Sequence, residues 1–362
     1  MEHKRIVIKI GSSSLTNNDG SLNTIRIRSL TEGIAALYHQ GWQPVLVSSG
    51  AVAVGLGQLG WERLKLTMPE RQAAAAVGQG LLMEHYNQFF STQDIKTAQV
   101  LLTKEDLANR HRYINARNTM NALLNHHILP IVNENDTVAV AEIKFGDNDT
   151  LSALVAGLIE AQLLVILTDT EGLYSSDPRK DPQAKLIPLV EQVDEKLVQV
   201  AGDSGSTVGT GGMRTKLIAA RIAARSGIPT VVTSAEKIEN IVTIAQGERA
   251  GTRFEPAKNC LRCRKQWIAF SSIARGIITV DQGAATALVK HKTSLLAVGV
   301  VKVKGSFTAG SVVSVRDVAG KELAKGISNL SAEDLRLIVK KPRHGLEVIN
   351  RDWLVCERSA AQ

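Results

Sequence analysis

Short apolar runs recur through the chain from residue 5 to residue 233. Each closes on small or polar residues, and each is followed by a helical stretch. The runs are Arg5-Ile-Val-Ile-Lys-Ile10, Pro44-Val-Leu-Val-Ser-Ser-Gly50, Thr97-Ala-Gln-Val-Leu-Leu102, Ile128-Leu-Pro-Ile-Val132, Leu163-Leu-Val-Ile-Leu-Thr-Asp169 and Pro229-Thr-Val-Val-Thr233. Between them, Asn23 to Gln40 repeats its apolar residues at helical spacing (Ile25, Ile27, Leu30, Ile34, Leu37), which predicts one buried face, and Gly41 closes it. Residues 51–60, Glu70 to Phe90 and Lys104 to Asn125 also read as helices. Strands alternating with helices predict an α/β domain, a mostly parallel sheet covered by helices on both faces. In such sheets ligands sit beyond the carboxyl ends of the strands.

The densest polar stretch lies at such an end. Asn133-Glu-Asn-Asp136 follows the run 128–132, and Gly146-Asp-Asn-Asp149 precedes an Ala/Leu-rich helical run, Leu151 to Ala161. Carboxylates and amides in this position can hold an amino group, align lysines or coordinate a metal. Taken singly, each half is also a plausible turn or helix cap. Other strand ends carry chemistry too. Lys9 precedes the turn Gly11-Ser-Ser-Ser14, where an ammonium group can neutralise phosphate oxygens. An edge-strand lysine that only solubilises is the plain alternative. Ser48, Ser49 and Gly50 form a small-residue turn that lets a substrate approach the backbone. Thr168 and Asp169 end another run. The loop from Gly202 to Gly212 feeds a helix from Met213 to Ser226, with Lys216 in its first turn. A bare loop entering a helix start is a phosphate cradle. No Gly-Lys-Ser/Thr follows the first strand, so this is not a P-loop.

After Gly247 the alternation stops. Residues 257–273 read as a linker, and 274–354 as a small, mostly β module. Its expected β segments are Ile277–Val280, Val298–Val303, Ser311–Val315 and Leu335–Val339, with one short helix from Asp281 to Lys290. The composition sets outer limits. A chain of 362 residues favours two domains. The net charge of +8 favours anionic partners such as nucleotides, acidic metabolites or RNA. No run is long enough for a membrane span, and the first residues lack a signal-peptide profile, which together predict a cytoplasmic protein. The three cysteines suit a reducing compartment, and Cys260-Leu-Arg-Cys263 has no second pair to complete a zinc site.

These motifs resemble the glutamate 5-kinase family of the amino acid kinase superfamily. The resemblance rests on Ile8-Lys-Ile-Gly-Ser-Ser13, Val47-Ser-Ser-Gly-Ala51, Asn133-Glu-Asn-Asp136, Gly146-Asp-Asn-Asp149, Leu167-Thr-Asp-Thr170, Gly172-Leu-Tyr174 with Asp177-Pro178, and Gly209-Thr-Gly-Gly-Met-Arg-Thr-Lys216. The tail from about Ala274 is similar to a PUA domain. The resemblance implies an amino acid kinase domain over 1–256 that binds ATP, with Mg²⁺, and L-glutamate. It implies phosphorylation of the γ-carboxylate to L-glutamyl 5-phosphate, the first step of proline synthesis. By the same resemblance Lys9, Lys216 and Asp149 carry catalysis, and Ser49, Asp136 and Asn148 contact glutamate. Lys9, Thr168, Asp169, Thr210, Gly211, Gly212, Met213, Arg214, Thr215 and Lys216 line the nucleotide site. No direct metal ligand is assigned. Feedback inhibition by proline and a homotetramer or homodimer are family expectations. The rivals are a sister kinase of another substrate and an RNA-binding protein that uses the PUA-like tail.

Overall fold

The structure is a computed structural model that describes residues 4–17, 20–62, 66–138, 148–178, 180–194, 197–198, 212–257, 268, 274–291, 293–340 and 345–356. It divides into two compact units. One comprises Met1–Asp106 and Tyr113–Cys260, the other Leu107–Arg112 and Leu261–Gln362.

The first unit is built on an eight-stranded sheet in the order β3-β4-β2-β1-β5-β7-β8-β6. Its strands are β1 (Arg5–Ile10), β2 (Gln43–Val47), β3 (Thr97–Leu102), β4 (Leu129–Glu134), β5 (Leu163–Thr168), β6 (Leu189–Val190), β7 (Thr230–Ser234) and β8 (Thr252–Phe254). All pairings are parallel except β7 with β8. The run ending at Thr233 is therefore not the last strand of this unit. β8 turns back along β7 and carries β6 on its far side. β6 and β8 are two and three residues long, too short to show a strand pattern in sequence.

Helices follow the strands: α1 (Ser12–Leu15), α2 (Thr24–His39), α3 (Ala51–Leu59), α4 (Met68–Ser91), α5 (Lys104–Ala108), α6 (Arg110–Asn125), α7 (Asn148–Leu158), α8 (Met213–Arg225) and α9 (Asn240–Ala245). Their ends have local causes. The Asn23 side chain accepts from Arg26 N at the start of α2, and the Glu70 carboxylate accepts from Thr67 N and Thr67 Oγ1 at the start of α4. Helices α3 and α4 approach very closely. A Cβ on Gly55 would lie 1.8 Å from the Ala74 carbonyl oxygen, and one on Gly78 would lie 1.8 Å from that of Ala51. Only glycine admits this crossing.

Strand parity decides which face each residue meets. Ile6, Ile8 and Ile10 of β1 pack in one core with Leu46 of β2 and Ile131 of β4. Ile27, Leu30, Ile34 and Leu37 of α2 and Leu82, Tyr86 and Phe90 of α4 belong to the same core, whereas Ile25, expected on that face of α2, lies in the first turn and is 79% exposed. Lys9, of opposite parity, faces the other side of the sheet, where α7 packs against β1 and β5. Lys9 lies on a central strand and is 4% exposed, so it is no solubilising edge residue.

The second unit holds a five-stranded sheet in the order β11-β9-β12-β13-β15 and a two-stranded pair, β10-β14. Its elements are β9 (Gly276–Val280), α10 (Gln282–His291), β10 (Leu295–Leu296), β11 (Val300–Gly305), β12 (Val312–Arg316), β13 (Glu322–Ile327), α11 (Ala332–Lys340), β14 (Glu347–Ile349) and β15 (Leu354–Cys356). Its core includes Ile278, Val280, Val313, Val315, Leu335 and Val348. The segment Leu335–Val339, expected as β, is helix. Ala332 and Leu335 are buried three residues apart while Leu337 is 67% exposed, a helical and not an alternating pattern. Ser331 and Asp334 cap its start: Asp334 N donates to Ser331 Oγ, and Ser331 Oγ donates to Asp334 Oδ2.

Candidate active site

The carboxyl ends of β1, β2, β4 and β5 lie along one edge of the first sheet. Register fixes the neighbours: Lys9 pairs with Val47 on one side and Ile166 on the other, and Val47 pairs with Val132. Ser48 and Asn133 follow directly at the ends of β2 and β4. Thr168, buried, ends β5, and its hydroxyl donates to Asp169 Oδ1 at 3.0 Å.

Helix α7 begins above this edge, and its first two residues serve two separate clusters. Successive helical residues project about 100° apart, so Asn148 and Asp149 face different neighbours. Asp149 is fully buried. Its Oδ1 lies 2.6 Å from Lys9 Nζ, and its Oδ2 lies 3.3 Å from Lys216 Nζ and accepts from Thr215 Oγ1 at 2.8 Å. Both lysines are only 4% exposed. Burial alone would raise the Asp149 carboxyl above its ordinary 3.8. The Lys9 and Lys216 ammonium groups and the Thr215 hydroxyl outweigh that and hold it at about 2. The cluster thus carries two ammonium groups around one carboxylate, a net positive charge in a site shielded from water.

Lys216 and Thr215 come from the first turn of α8, after Gly212 in extended conformation. The first N–H groups of a helix have no intrahelical partner, so this start can receive an anion next to the lysines. Met213 is half-buried and Arg214 exposed. Thr210 and Gly211, expected in the nucleotide site, lie outside the described residues, as do Gly146 and Asp147.

The Asn148 amide belongs to the other cluster. Its Nδ2 donates to the Ser48 carbonyl oxygen (3.0 Å), Ser49 Oγ (2.8 Å) and Asn133 Oδ1 (3.0 Å). A backbone carbonyl can only accept, which fixes the amide nitrogen on this side. Asn148 Oδ1 is therefore turned the other way. It is buried and has no hydrogen-bond partner among the described residues. Gly50, with φ +102°, makes the sharp turn from β2 into α3 that leaves Ser49 beside Asn148. Asp136, half-buried, sits two residues beyond the end of β4.

Lys9, Asp149, Thr215 and Lys216 are thus in contact, and Ser49 and Asn148 are in contact; Asp136, Thr168 and Asp169 stand at the ends of flanking strands. Ser48 and Asn133, already part of the small-residue turn and the polar stretch seen in the sequence, complete the second cluster together with Gln79 and Tyr86, to which sequence reading assigned no role. Asn133 Nδ2 donates to Gln79 Oε1 at 2.8 Å, and Ser48 Oγ lies 2.9 Å from Tyr86 OH. A signal existed in retrospect: a Gln and a Tyr seven residues apart share one face of α4.

Comparison with known proteins follows the same division. The amino acid kinase family matches residues 4–234, and the PUA domain matches 276–348. The chain is 47% identical to a glutamate 5-kinase of Pelobacter propionicus over 97% of each chain. It is 49% identical to one of Chromobacterium violaceum over 95% of this chain and 92% of that one. Among solved structures, carbamate kinase from Giardia lamblia bound to AMP-PNP superposes with a TM-score of 0.52 at 17% identity, over 70% of this chain and 99% of the other. A UMP kinase from Bacillus anthracis gives 0.51 at 16%, over 70% and 97%. These two share the fold. Family matches over both parts and near-full-length relatives place the chain in the amino acid kinase family, among the glutamate 5-kinases, with a PUA domain behind its kinase region.

Proposed function

We propose that the chain phosphorylates the γ-carboxylate of L-glutamate with ATP, giving L-glutamyl 5-phosphate and ADP, the first step of proline synthesis. The observation that carries this reading is the buried Lys9–Asp149–Lys216 cluster at the sheet edge beside the Asn148 amide.

The reaction brings two anions together. A carboxylate oxygen attacks the γ-phosphorus, a new O–P bond forms, and the bond to the β-phosphate oxygen breaks as ADP leaves. The carboxylate is ionised already and needs no base. What the protein must supply is alignment and neutralisation of negative charge. Lys9 and Lys216 supply the charge, and Asp149 holds both ammonium groups in place at no cost of reorganisation during the reaction. Thr168, Asp169 and the start of α8 line the nucleotide side. Ser49, Asp136 and Asn148 line the glutamate side, where the Asp136 carboxylate is the natural partner of the α-ammonium group and the Asn148 Oδ1, without a partner among the described residues, can accept from it as well. Both Asp149 oxygens are engaged by lysines, which leaves that carboxylate to hold the ammonium groups. A Mg²⁺ entering with ATP would add to the neutralisation of the phosphate charge. Inhibition by proline and assembly into a homodimer or homotetramer belong to this proposal by resemblance, while RNA binding by the PUA domain remains the rival reading, separated from it by a salt-dependent RNA-binding test. The division into 1–256, a linker at 257–273 and 274–354 is part of the proposal too, and it rests on where the strand–helix alternation stops.

Lys216→Ala is expected to lower turnover about a hundredfold or more with the fold intact, since Lys9 still pairs with Asp149. Asp136→Ala is expected to raise the KM for glutamate. A rise in the KM for ATP alone would show the two halves of the site to be wrongly placed.

A further inference from the structure

Helix α4 packs on the sheet through Leu82, Tyr86 and Phe90. Where this face reaches the carboxyl edge it turns polar. Strand parity brings Ser48 (after Leu46) and Asn133 (after Ile131) to the same side of the sheet as α4. There they meet Tyr86 OH and Gln79 Oε1. The orientation of each amide follows from groups that have one role only. Glu134 N can only donate, so the atom of Asn133 it meets, at 2.8 Å, is Oδ1. Asn133 Nδ2 therefore faces Gln79, which must present its oxygen. Asn133 Oδ1 in turn receives the Asn148 amide. The Ser48 carbonyl receives the same amide, and the Ser48 hydroxyl is tied to Tyr86. Two links thus run from α4 to Asn148, one through Asn133 and one through Ser48.

We propose that Gln79 and Tyr86 are positioning residues that set substrate affinity by fixing the Asn148 amide, so that its Oδ1 stays turned toward the α-ammonium group of the amino acid. The proposal rests on the glutamate-binding role given to Asn148 above. The hydrogen bonds of Gln79 and Tyr86 run to Asn133 and Ser48, on the Asn148 side of the site, so their effect falls on the amino acid and not on ATP. Without Gln79, Asn133 Nδ2 loses its acceptor and Glu134 N is left to orient that amide, so the Asn133 oxygen that receives the Asn148 amide is held less firmly and Asn148 Oδ1 shifts from its place. Without the Tyr86 hydroxyl, Ser48 loses its anchor and its carbonyl can drift from Asn148.

The test is steady-state kinetics on the full chain, with wild type, Gln79→Met, Gln79→Glu and Tyr86→Phe measured side by side. Methionine keeps the bulk and removes the acceptor; glutamate keeps an acceptor at the same reach. Gln79→Met and Tyr86→Phe are expected to raise the KM for L-glutamate about tenfold, the scale of one misplaced hydrogen bond. The KM for ATP and kcat should stay within about twofold of wild type, and Gln79→Glu should restore most of the glutamate affinity. Tyr86→Phe tests the second link should Gln79→Met not fold. An active wild type whose Gln79→Met and Tyr86→Phe variants keep its KM for glutamate would overturn the proposal. So would variants that lose kcat and both affinities together, the mark of a merely structural role. A folded wild type inactive on glutamate would instead overturn the functional reading beneath it.

Discussion

At the scale of single residues, Asp149 has the most demanding position, fully buried between two lysines that are themselves nearly inaccessible. Removing its charge strands both ammonium groups out of water. Asp149→Asn is therefore expected to cost about 3–5 kcal/mol of stability as well as activity, measured by chemical denaturation. Its pH signature has a definite sign. The carboxyl sits at about 2 in the folded chain against an ordinary 3.8. Its ion pairs thus contribute fully above pH 4, about 2 kcal/mol by linkage, and the contribution is lost as pH falls from about 4 through 2. Stability of the wild type should fall over that window by that amount more than stability of Asp149→Asn. Equal slopes would show that the cluster does not hold the carboxylate ionised. These charged residues were legible in the sequence because each stands where a strand ends or a helix begins. Gln79 and Tyr86 were not. Their partners are 54 and 38 residues away, and only strand register and parity bring them together.

At the scale of elements, the α3–α4 crossing controls how the turn at Ser48, Ser49 and Gly50 meets α4. Gly55→Ala would drive a methyl carbon into the Ala74 carbonyl and should destabilise by about 3 kcal/mol or more. Gly80→Ala, on the same α4 but with nothing within 4 Å of the new carbon, should be neutral or stabilise by up to about 1 kcal/mol. Thermal melts of the two variants separate close packing from helix propensity, and equal effects would mean that the crossing is not as tight as described. The longer alternating elements could be read from sequence, since five-to-six-residue apolar runs and helices of sixteen residues or more carry their own periodicity. Elements that depend on tertiary contact could not. β6 and β8 are held by pairing with neighbours. Helix α11 has β-branched and leucine residues that suggest a strand until the Ser331–Asp334 cap and the three-residue burial spacing are weighed.

At the scale of the whole molecule, each unit has its own apolar core, one around β1, α2 and α4 and one around β9, β12 and α11. Among the described residues, Lys9, Ser49, Asn148, Asp149 and Lys216 of the proposed site all belong to the first unit. Calorimetry is expected to show two unfolding transitions. A non-hydrolysable ATP analogue or L-glutamate at a hundredfold excess over its Kd should shift only one, by about 2.7 kcal/mol. A shift of both would contradict the confinement of the site to one unit. Among the described residues, no helix is long and apolar enough to cross a membrane. The central claim is that paired lysines and an oriented amide at one sheet edge serve the transfer of the γ-phosphoryl group of ATP to the side-chain carboxylate of glutamate. It is tested most directly by trapping the acyl phosphate with hydroxylamine, in the presence of ATP and Mg²⁺, with L-glutamate, L-aspartate and N-acetylglutamate as separate acceptors. The account predicts ATP-dependent hydroxamate from L-glutamate well above the other two. Folded protein that forms hydroxamate from none of them, or from aspartate or N-acetylglutamate in preference, would contradict it.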